Sequence, residues 1–380
     1  MNIGYLYEFH AYPPKGGNHR HAYELTQGFT KLGNHVHVLD DPTMPEVTNY
    51  SGPHDIEKFL RAIDIIYIRI DGRKLKHSDT IRKIMSQKQK IPIVWEVNAP
   101  ANEALAYSWL GGKTSTQKDP LNIYLKRWLH AARQYPEIWQ EESFRKKLAQ
   151  NVDAAICVTT ALSNYCKKGL GIDNSIVIPN GGPIMALEEI NKRKAKRADN
   201  QFTVLYSGSA IYPWQGMQYI TETIQLAHKQ NLNIKFKLAV NQKTEYLPAL
   251  PNVTIFEGQN YNQILDLICT SDVCLAFHPE YFWSRWKFHG SPMKLFEYMG
   301  CATASLSSNI GQMKDLIHPD IDGYLCPNNP HKILKKLIGI KNNKKERENI
   351  GYEGWKRIQT DLNWAKNVKK TLNIFQSLIH

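Results

Sequence analysis

A chain of 380 residues can bury two or three cores, and its length favours two domains. The hydrophobic fraction of 42% with no uncharged apolar run near the roughly 18 residues of a membrane span argues against a helical membrane protein. A formal net charge of +13 calls for a polyanionic partner such as phosphate groups, acidic glycan, anionic lipid or nucleic acid, unless the charges are only solvated helix faces.

The start, Met1-Asn-Ile-Gly-Tyr-Leu-Tyr-Glu8, has no basic segment or cleavage site, and the six cysteines (Cys157, Cys166, Cys269, Cys274, Cys301, Cys326) form no Cys-x-x-Cys pair. Both features suit buried thiols in a reduced, cytoplasmic setting. Basic residues cluster at 73–90, 192–197 and 332–347, among Ile and Leu rather than stacking aromatics, so no nucleic acid is expected.

In chain order, residues 3–7 read as a strand, Ala11-Tyr-Pro-Pro-Lys-Gly-Gly-Asn18 as a loop, and 19–32 as a helix with Ala22, Leu25, Phe29 and Leu32 on one face. The alternation over 35–39 closes a βαβ unit. Gly16 and Gly17 fall where strand one meets helix one, the ligand position of open parallel sheets, although a plain loop explains them equally well. Further units follow: helix 55–62, strand 64–69, helix 80–86 and strand 91–97. A carboxylate within the last strand, Glu96, is costly unless paired; Arg69, at the matching end of the neighbouring strand, is its natural partner, and Glu103 follows in the loop.

Residues 121–149 read as helix in two pieces broken at Pro136. Aromatic and basic residues alternate along it, which suits a membrane surface or a lipid-linked acceptor, or else a packed surface helix with snorkelling side chains. Strands 154–158 and 175–178 end the first half in Pro179-Asn-Gly-Gly-Pro183, and Lys-rich 185–200 reads as a linker. The chain restarts with strand 202–206, the loop Ser207-Gly-Ser-Ala-Ile-Tyr-Pro-Trp-Gln-Gly216, helix 217–229 and strands 234–240, 253–256 and 272–277.

His289-Gly-Ser-Pro-Met-Lys-Leu-Phe-Glu-Tyr-Met-Gly300 then joins two apolar strands. Gly290 permits close backbone approach, and Ser291 and Pro292 take the N-cap and first-turn positions of a helix whose free N–H groups favour an anion. Lys294 adds a full charge, and Glu297, on the same face, can accept from hydroxyls; together they suit a nucleotide diphosphate, though the pair could equally be solvated. Asp320-Ile-Asp322 reads as a turn rather than a metal site. The last helix, 363–379, is amphipathic.

Pro-Pro-Lys-Gly-Gly after strand one, Ile178-Pro-Asn-Gly181, Trp214-Gln-Gly216 and Ser291-Pro-Met-Lys-Leu-Phe-Glu-Tyr-Met-Gly300 together resemble a GT-B glycosyltransferase of the retaining family 4 type, over nearly the whole chain. The resemblance implies an α/β chain of two Rossmann-like parallel domains facing a central cleft: an acceptor-side domain at 1–183, a linker at 184–200, a donor domain at 201–360 and a helix at 361–380 that crosses back to the first domain.

The implied activity is hexosyltransferase-like. A sugar passes from a nucleotide diphosphate donor, UDP or GDP, to an acceptor hydroxyl with retention of configuration, without a metal or other cofactor, in glycan or glycoconjugate synthesis. The implied acceptor is a glycan, a lipid-linked molecule or a small molecule, with peripheral contact at an anionic inner membrane face.

Glu297 matches the second glutamate of the family's Glu-x7-Glu motif, which binds the ribose, while the first falls on His289. Gln215 stands where the family has the pyrophosphate-gripping lysine, so Lys294 is its replacement, with Lys287 and Arg285 in reserve. The donor set is Gly16, Gly17, Ser207, Gly208, Gln215, Gly290, Ser291, Lys294 and Glu297; the catalytic candidates are Glu96, Asn98, His289 and Lys294; the acceptor side holds Arg69, Glu96 and Glu103. Two rivals stand beside this reading. One is a non-catalytic basic protein that binds a polyanion or membrane, and the other a GT-B phosphorylase or epimerase.

Overall fold

The computed structural model describes residues 1–14, 16–72, 74–86, 91–103, 121–245, 247–281 and 283–379. Arg73 and residues 87–90 of the first basic cluster, Lys15 of the Pro-Pro-Lys-Gly-Gly loop and Phe282 lie outside them. Among the described residues, runs such as IIYIRI and IVWEV form strands buried on both faces, the pattern of parallel sheets covered by helices on each side. The first sheet holds β1 (Asn2–Leu6), β2 (His35–Leu39), β3 (Thr48–Tyr50), β4 (Ile65–Ile70), β5 (Ile93–Val97), β6 (Ala154–Cys157) and β7 (Ser175–Val177), in the order β3-β2-β1-β4-β5-β6-β7.

The second sheet holds β8 (Thr203–Gly208), β9 (Lys235–Val240), β10 (Val253–Glu257), β11 (Val273–Ala276), β12 (Ala304–Ser308) and β13 (Tyr324–Cys326), in the order β10-β9-β8-β11-β12-β13. Neighbouring strands run parallel in both sheets. Strand order reverses beside β1 and beside β8, so the loops leaving those strands diverge from the loops after β4 and β11 and open a crevice at the carboxyl ends.

The chain passes between the two halves twice, side by side. Gly182 N–H donates to Leu362 O at 2.9 Å, and Asn367 Nδ2 donates to Pro179 O at 2.6 Å. A Cβ on Gly181 would lie 2.4 Å from Trp364 N, so glycine is dictated there by the crossing of the two segments. The helix Trp364–Ile379 then returns to the first domain and buries Val368, Leu372 and Phe375 against the helix Gly17–Lys31 and the first sheet, with the Phe375 ring 5.2 Å from that of Tyr67.

Two expectations need correction. Residues 121–149 form one continuous helix, Leu121–Ala149, with Pro136 inside it. Pro136 and Ala132, whose carbonyl loses its partner to the proline, both lie on the exposed side, where water can take that bond. Within the stretch read as a linker, Leu187–Lys194 is a helix: Ile190 is fully buried, and Arg193 Nη1 reaches Asp266 Oδ1 at 2.7 Å.

Gly28 is the contact point of the returning helix, since a Cβ there would sit 2.3 Å from Val368 Cγ2. Alanine in a helix is intrinsically better than glycine by about 1 kcal/mol, but a stiff β-branched neighbour cannot yield that much space. Gly28→Ala is therefore expected to destabilise the chain by about 1–3 kcal/mol in chemical denaturation.

Candidate active site

At the carboxyl end of the first sheet, Glu96 is 1% exposed and surrounded by donors. Arg69 Nη1 and the Tyr5 hydroxyl bond to it, Asn98 Nδ2 donates to Oε1 at 2.5 Å, and His21 Nε2 lies 3.0 Å from Oε1. Burial alone would keep the carboxyl protonated; Arg69 and then His21 override it and draw its pKa down to about 2. The same burial, with the Glu96 charge beside it, pushes the Tyr5 hydroxyl far up and keeps it a donor.

The knot continues into the second domain. His21 Nδ1 meets Asn180 Oδ1 at 2.6 Å, Asn180 Nδ2 donates to Ser291 O at 2.7 Å, and Asn180 N–H donates to Ser291 Oγ at 3.1 Å. Ser291 was expected to cap the following helix. That role falls to Pro292, which offers no side-chain cap, because the Ser291 hydroxyl is used across the domain boundary.

The helix Met293–Gly300 presents Lys294 in its first turn. The Lys294 ammonium is buried at 8% exposure, donates to Gln215 Oε1 at 2.6 Å and lies 4.2 Å from the centre of the Tyr206 ring. Gly208, at φ 143°, leaves the space, since a Cβ there would be 2.7 Å from Nζ. Burial lowers the Lys294 pKa to about 7, against the pull of Glu297. Burial likewise raises that of Glu297, with Arg20 and Lys294 opposing. Arg20 lies on the first-domain helix, its guanidinium 3.9 Å over the Tyr261 ring. Gln215, at the family's lysine position, thus holds the lysine that arrives from elsewhere, and also accepts from Tyr206 OH at 3.2 Å.

His289 is 3% exposed and faces Glu103 Oε1 of the first domain through Nε2 at 3.2 Å, while its carbonyl accepts from Thr159 Oγ1 at 3.0 Å. The structure thus groups Arg69, Glu96 and Asn98 in one buried knot, His289 with Glu103 in a second contact, and Lys294 with Gln215 in a third. Gly17 approaches from the first domain, where a Cβ would lie 3.5 Å from Met293 Sδ, and Gly16 begins the first helix in extended backbone. Gly290 is set by packing, since a Cβ there would lie 2.8 Å from the Phe288 ring. Ser207, expected among the donor contacts, spends both its N–H and its hydroxyl on Tyr298 OH at 3.1 Å and so points into the core.

Sequence reasoning missed His21, Asn180, Tyr206 and His278 as site residues. A histidine on the Ala22–Leu25 face of the first helix and the asparagine of Ile178-Pro-Asn-Gly181 were the available signals. His278 donates from Nδ1 to Trp214 O at 2.7 Å, and burial, then the Lys294 charge, lowers its pKa to about 3, so it is neutral. Several residues of the basic clusters are held in ion pairs. Arg193 and Lys196 hold Asp266, Arg197 and Arg347 hold Asp272, and Lys74 holds Glu137. Asp320 and Asp322 are likewise taken, by Lys336 and by His318 and Arg357.

Two facing parallel α/β domains, a cleft at their carboxyl ends and a returning last helix define the GT-B class. The comparisons carry this further: residues 201–343 match the model of the family glycosyl transferases group 1. An uncharacterized glycosyltransferase of Methanocaldococcus jannaschii is 23% identical over 262 residues, which span 63% of this chain and 62% of that relative. Sucrose-phosphate synthase from Thermosynechococcus elongatus superposes with a TM-score of 0.67 at 15% identity, covering 100% of this chain and 99% of that one. Anabaena HepE, solved with UDP-glucose, superposes with a TM-score of 0.67 at 13% identity, covering 99% of this chain and 100% of HepE.

Glu96 has a pKa depressed from 4.5 to about 2, so its share of stability is complete above pH ~4.5 and lost as the pH falls toward 2. Glu96→Gln leaves Arg69 buried without its counter-charge and is expected to cost about 3–5 kcal/mol. The acid limb of its stability–pH curve, followed by denaturant titration, should flatten in that window.

Proposed function

We propose that this chain is a retaining glycosyltransferase that moves a hexosyl group from UDP- or GDP-sugar to an acceptor hydroxyl in glycan or glycoconjugate synthesis. The observation that carries it is Lys294, a buried ammonium in the first turn of a helix at the domain cleft, whose one hydrogen-bond partner among the described residues is the neutral Gln215 oxygen. An anion is the ligand that would recover the lost solvation of that charge. Glu297 stands one turn further on the same helix; among the described residues no side-chain donor is bonded to its carboxylate, which leaves it to accept from ribose hydroxyls. The fold neighbour HepE, solved with UDP-glucose, supports a donor of this class.

In the reaction, the bond between the anomeric carbon and the diphosphate oxygen breaks as the acceptor oxygen attacks the same face. The leaving phosphate oxygen takes the acceptor proton, which preserves configuration and makes a protein nucleophile unnecessary. Lys294 and the amide N–H groups of the first helical turn offset the charge on the leaving diphosphate. Glu103, bonded to His289, brings a carboxylate to the place where the family's Glu-x7-Glu motif has its first glutamate, and we assign it to the transferred sugar. The buried Glu96 knot aligns the domains and orients the acceptor side.

A thermal-shift panel of UDP, GDP, ADP and TDP tests the site. One nucleotide at a hundredfold excess over its Kd should stabilise the chain by about 2.7 kcal/mol, and Glu297→Ala should abolish the shift. Absence of any nucleotide shift in the wild type would remove the proposal's support.

Lys294 supplies a second test. A bound diphosphate raises its pKa from about 7, so at pH 8 binding should take up close to one proton, and affinity should fall as the pH rises above 7. Calorimetry in buffers of different ionisation enthalpy reads that uptake, and Lys294→Gln should eliminate it.

A further inference from the structure

β9, with the sequence Lys-Phe-Lys-Leu-Ala-Val, turns Phe236, Leu238 and Val240 into one core cluster of the second domain and Ala239 into another, which the helix Tyr261–Cys269 covers. Lys235 and Lys237 share the face of Ala239, and both are half-buried. Two lysines on a strand face that a helix covers are costly unless something there uses their charge. Between that strand, that helix and residues 196–199 lies a cavity of about 380 Å³. Small-molecule sites run from roughly 300 to 1,000 Å³, so the space suits a small ligand.

The charges of the lining identify the ligand. Lys196, Arg197, Lys235 and Lys237 face the cavity together with two carboxylates, Asp199 and Asp266, which leaves an excess of two positive charges. Three of the cations are paired: Lys196 with Asp266 at 2.7 Å, Arg197 with Asp272 at 2.7 Å and Lys235 with Asp199 at 3.1 Å. Asp266 and Asp272 are each shared with a further arginine, Arg193 and Arg347. Among the described residues Lys237 reaches only the Thr270 hydroxyl, at 3.3 Å. Burial first, then the charges of Lys235 and Arg197, lowers its pKa. An anion beside this ammonium would offset both effects, and a phosphate group, near two negative charges at neutral pH, matches the excess. Phe256 and Leu267 add an apolar wall on which a small organic body could rest.

We infer that this cavity is a second anion site, which takes a phosphate dianion on Lys237, either free phosphate or the phosphate group of a small monoester. Lys235 and Lys237 stand in the amino half of β9, whereas the cleft lies at the carboxyl ends of the strands, so the site is separate from Lys294. The inference rests on the cavity and its charges, and stands independently of the transfer reaction.

Thermal shift of the full chain with inorganic phosphate and with glucose 6-phosphate, at constant ionic strength in chloride and with glucose as the neutral control, tests it. Both phosphates should raise the melting temperature of the wild type, and glucose should not. Phosphate also stabilises folds generally by exclusion from their surface, so the decisive readout is the difference between variants. Lys237→Met keeps the aliphatic stem and should need at least about tenfold more phosphate for the same shift. Lys235→Gln, at the half-exposed rim, should need severalfold more and keeps the test decisive if Lys237→Met does not fold. Lys294→Gln should respond as the wild type does. Glucose 6-phosphate acting at lower concentration than phosphate would assign the ligand to the monoesters, and equal potency would assign it to free phosphate. No shift in the wild type, an undiminished shift in the Lys237 and Lys235 variants, or loss of the shift in Lys294→Gln would each overturn the inference, the last by placing the anion in the cleft. The nucleotide thermal shift, measured in parallel, reports separately on the donor site.

Discussion

A carboxylate sealed from water is the constraint on which much of this molecule is built. Glu96 ends a strand buried on both faces, where an unpaired charge would cost many times the margin of a folded protein. Arg69, Tyr5, Asn98 and His21 offset that cost with donors from β1, β4, the loop after β5 and the first helix. The arrangement does not stop at the domain edge. His21 holds Asn180, Asn180 holds Ser291, and Ser291 leads into the helix that carries Lys294 and Glu297. The position of the helix Met293–Gly300 is thereby coupled to a buried charge in the opposite domain. Coupling through discrete hydrogen-bonded groups favours a few defined domain arrangements over a continuum.

The second domain applies the opposite economy. A buried ammonium with no carboxylate in hydrogen-bond contact among the described residues is unfavourable in the free protein, and the Tyr206 ring and Gln215 oxygen compensate only in part. Gly208 removes the side chain that would have filled the space. A buried cation of this kind is more stable beside an anion than alone, which is the physical basis of the diphosphate site proposed above. The first domain contributes to the same cleft through Glu103 on His289 and through Arg20, whose charge acts on Glu297.

The net charge of +13 divides unequally between two uses. Around Asp266 and Asp272, basic residues are consumed in ion pairs that fasten the helix Leu187–Lys194 and the following turn to the helix Tyr261–Cys269, and Arg197 and the helix Lys344–Thr360 to the start of β11. Along the helix Leu121–Ala149, by contrast, the lysines face outward beside exposed aromatics. Basic composition alone does not separate these cases, because an ion pair joins residues far apart in sequence. Lys74 with Glu137 is one example, and Arg197 with Asp272 another.

Period and punctuation in the sequence determined the βα alternation and hence two parallel sheets, and they marked Arg69 and Glu96 as partners because matching ends of neighbouring strands must meet. The placement of Lys294 in the first turn of a helix after a strand was also legible, since it is a local pattern. What lay beyond the sequence was every contact made across the cleft. His21 is one histidine in a helix until Asn180 and Glu96 are brought to its two nitrogens. Ser291 looks like a helix cap until Asn180 claims its hydroxyl, and Gln215 looks like a lost lysine until Lys294 reaches it from 79 residues away. Pro136 breaks a helix in isolation but is carried by one whose other face is packed. Local propensity sets which elements form; tertiary structure decides which polar groups share a partner, because that depends on distances no linear spacing encodes.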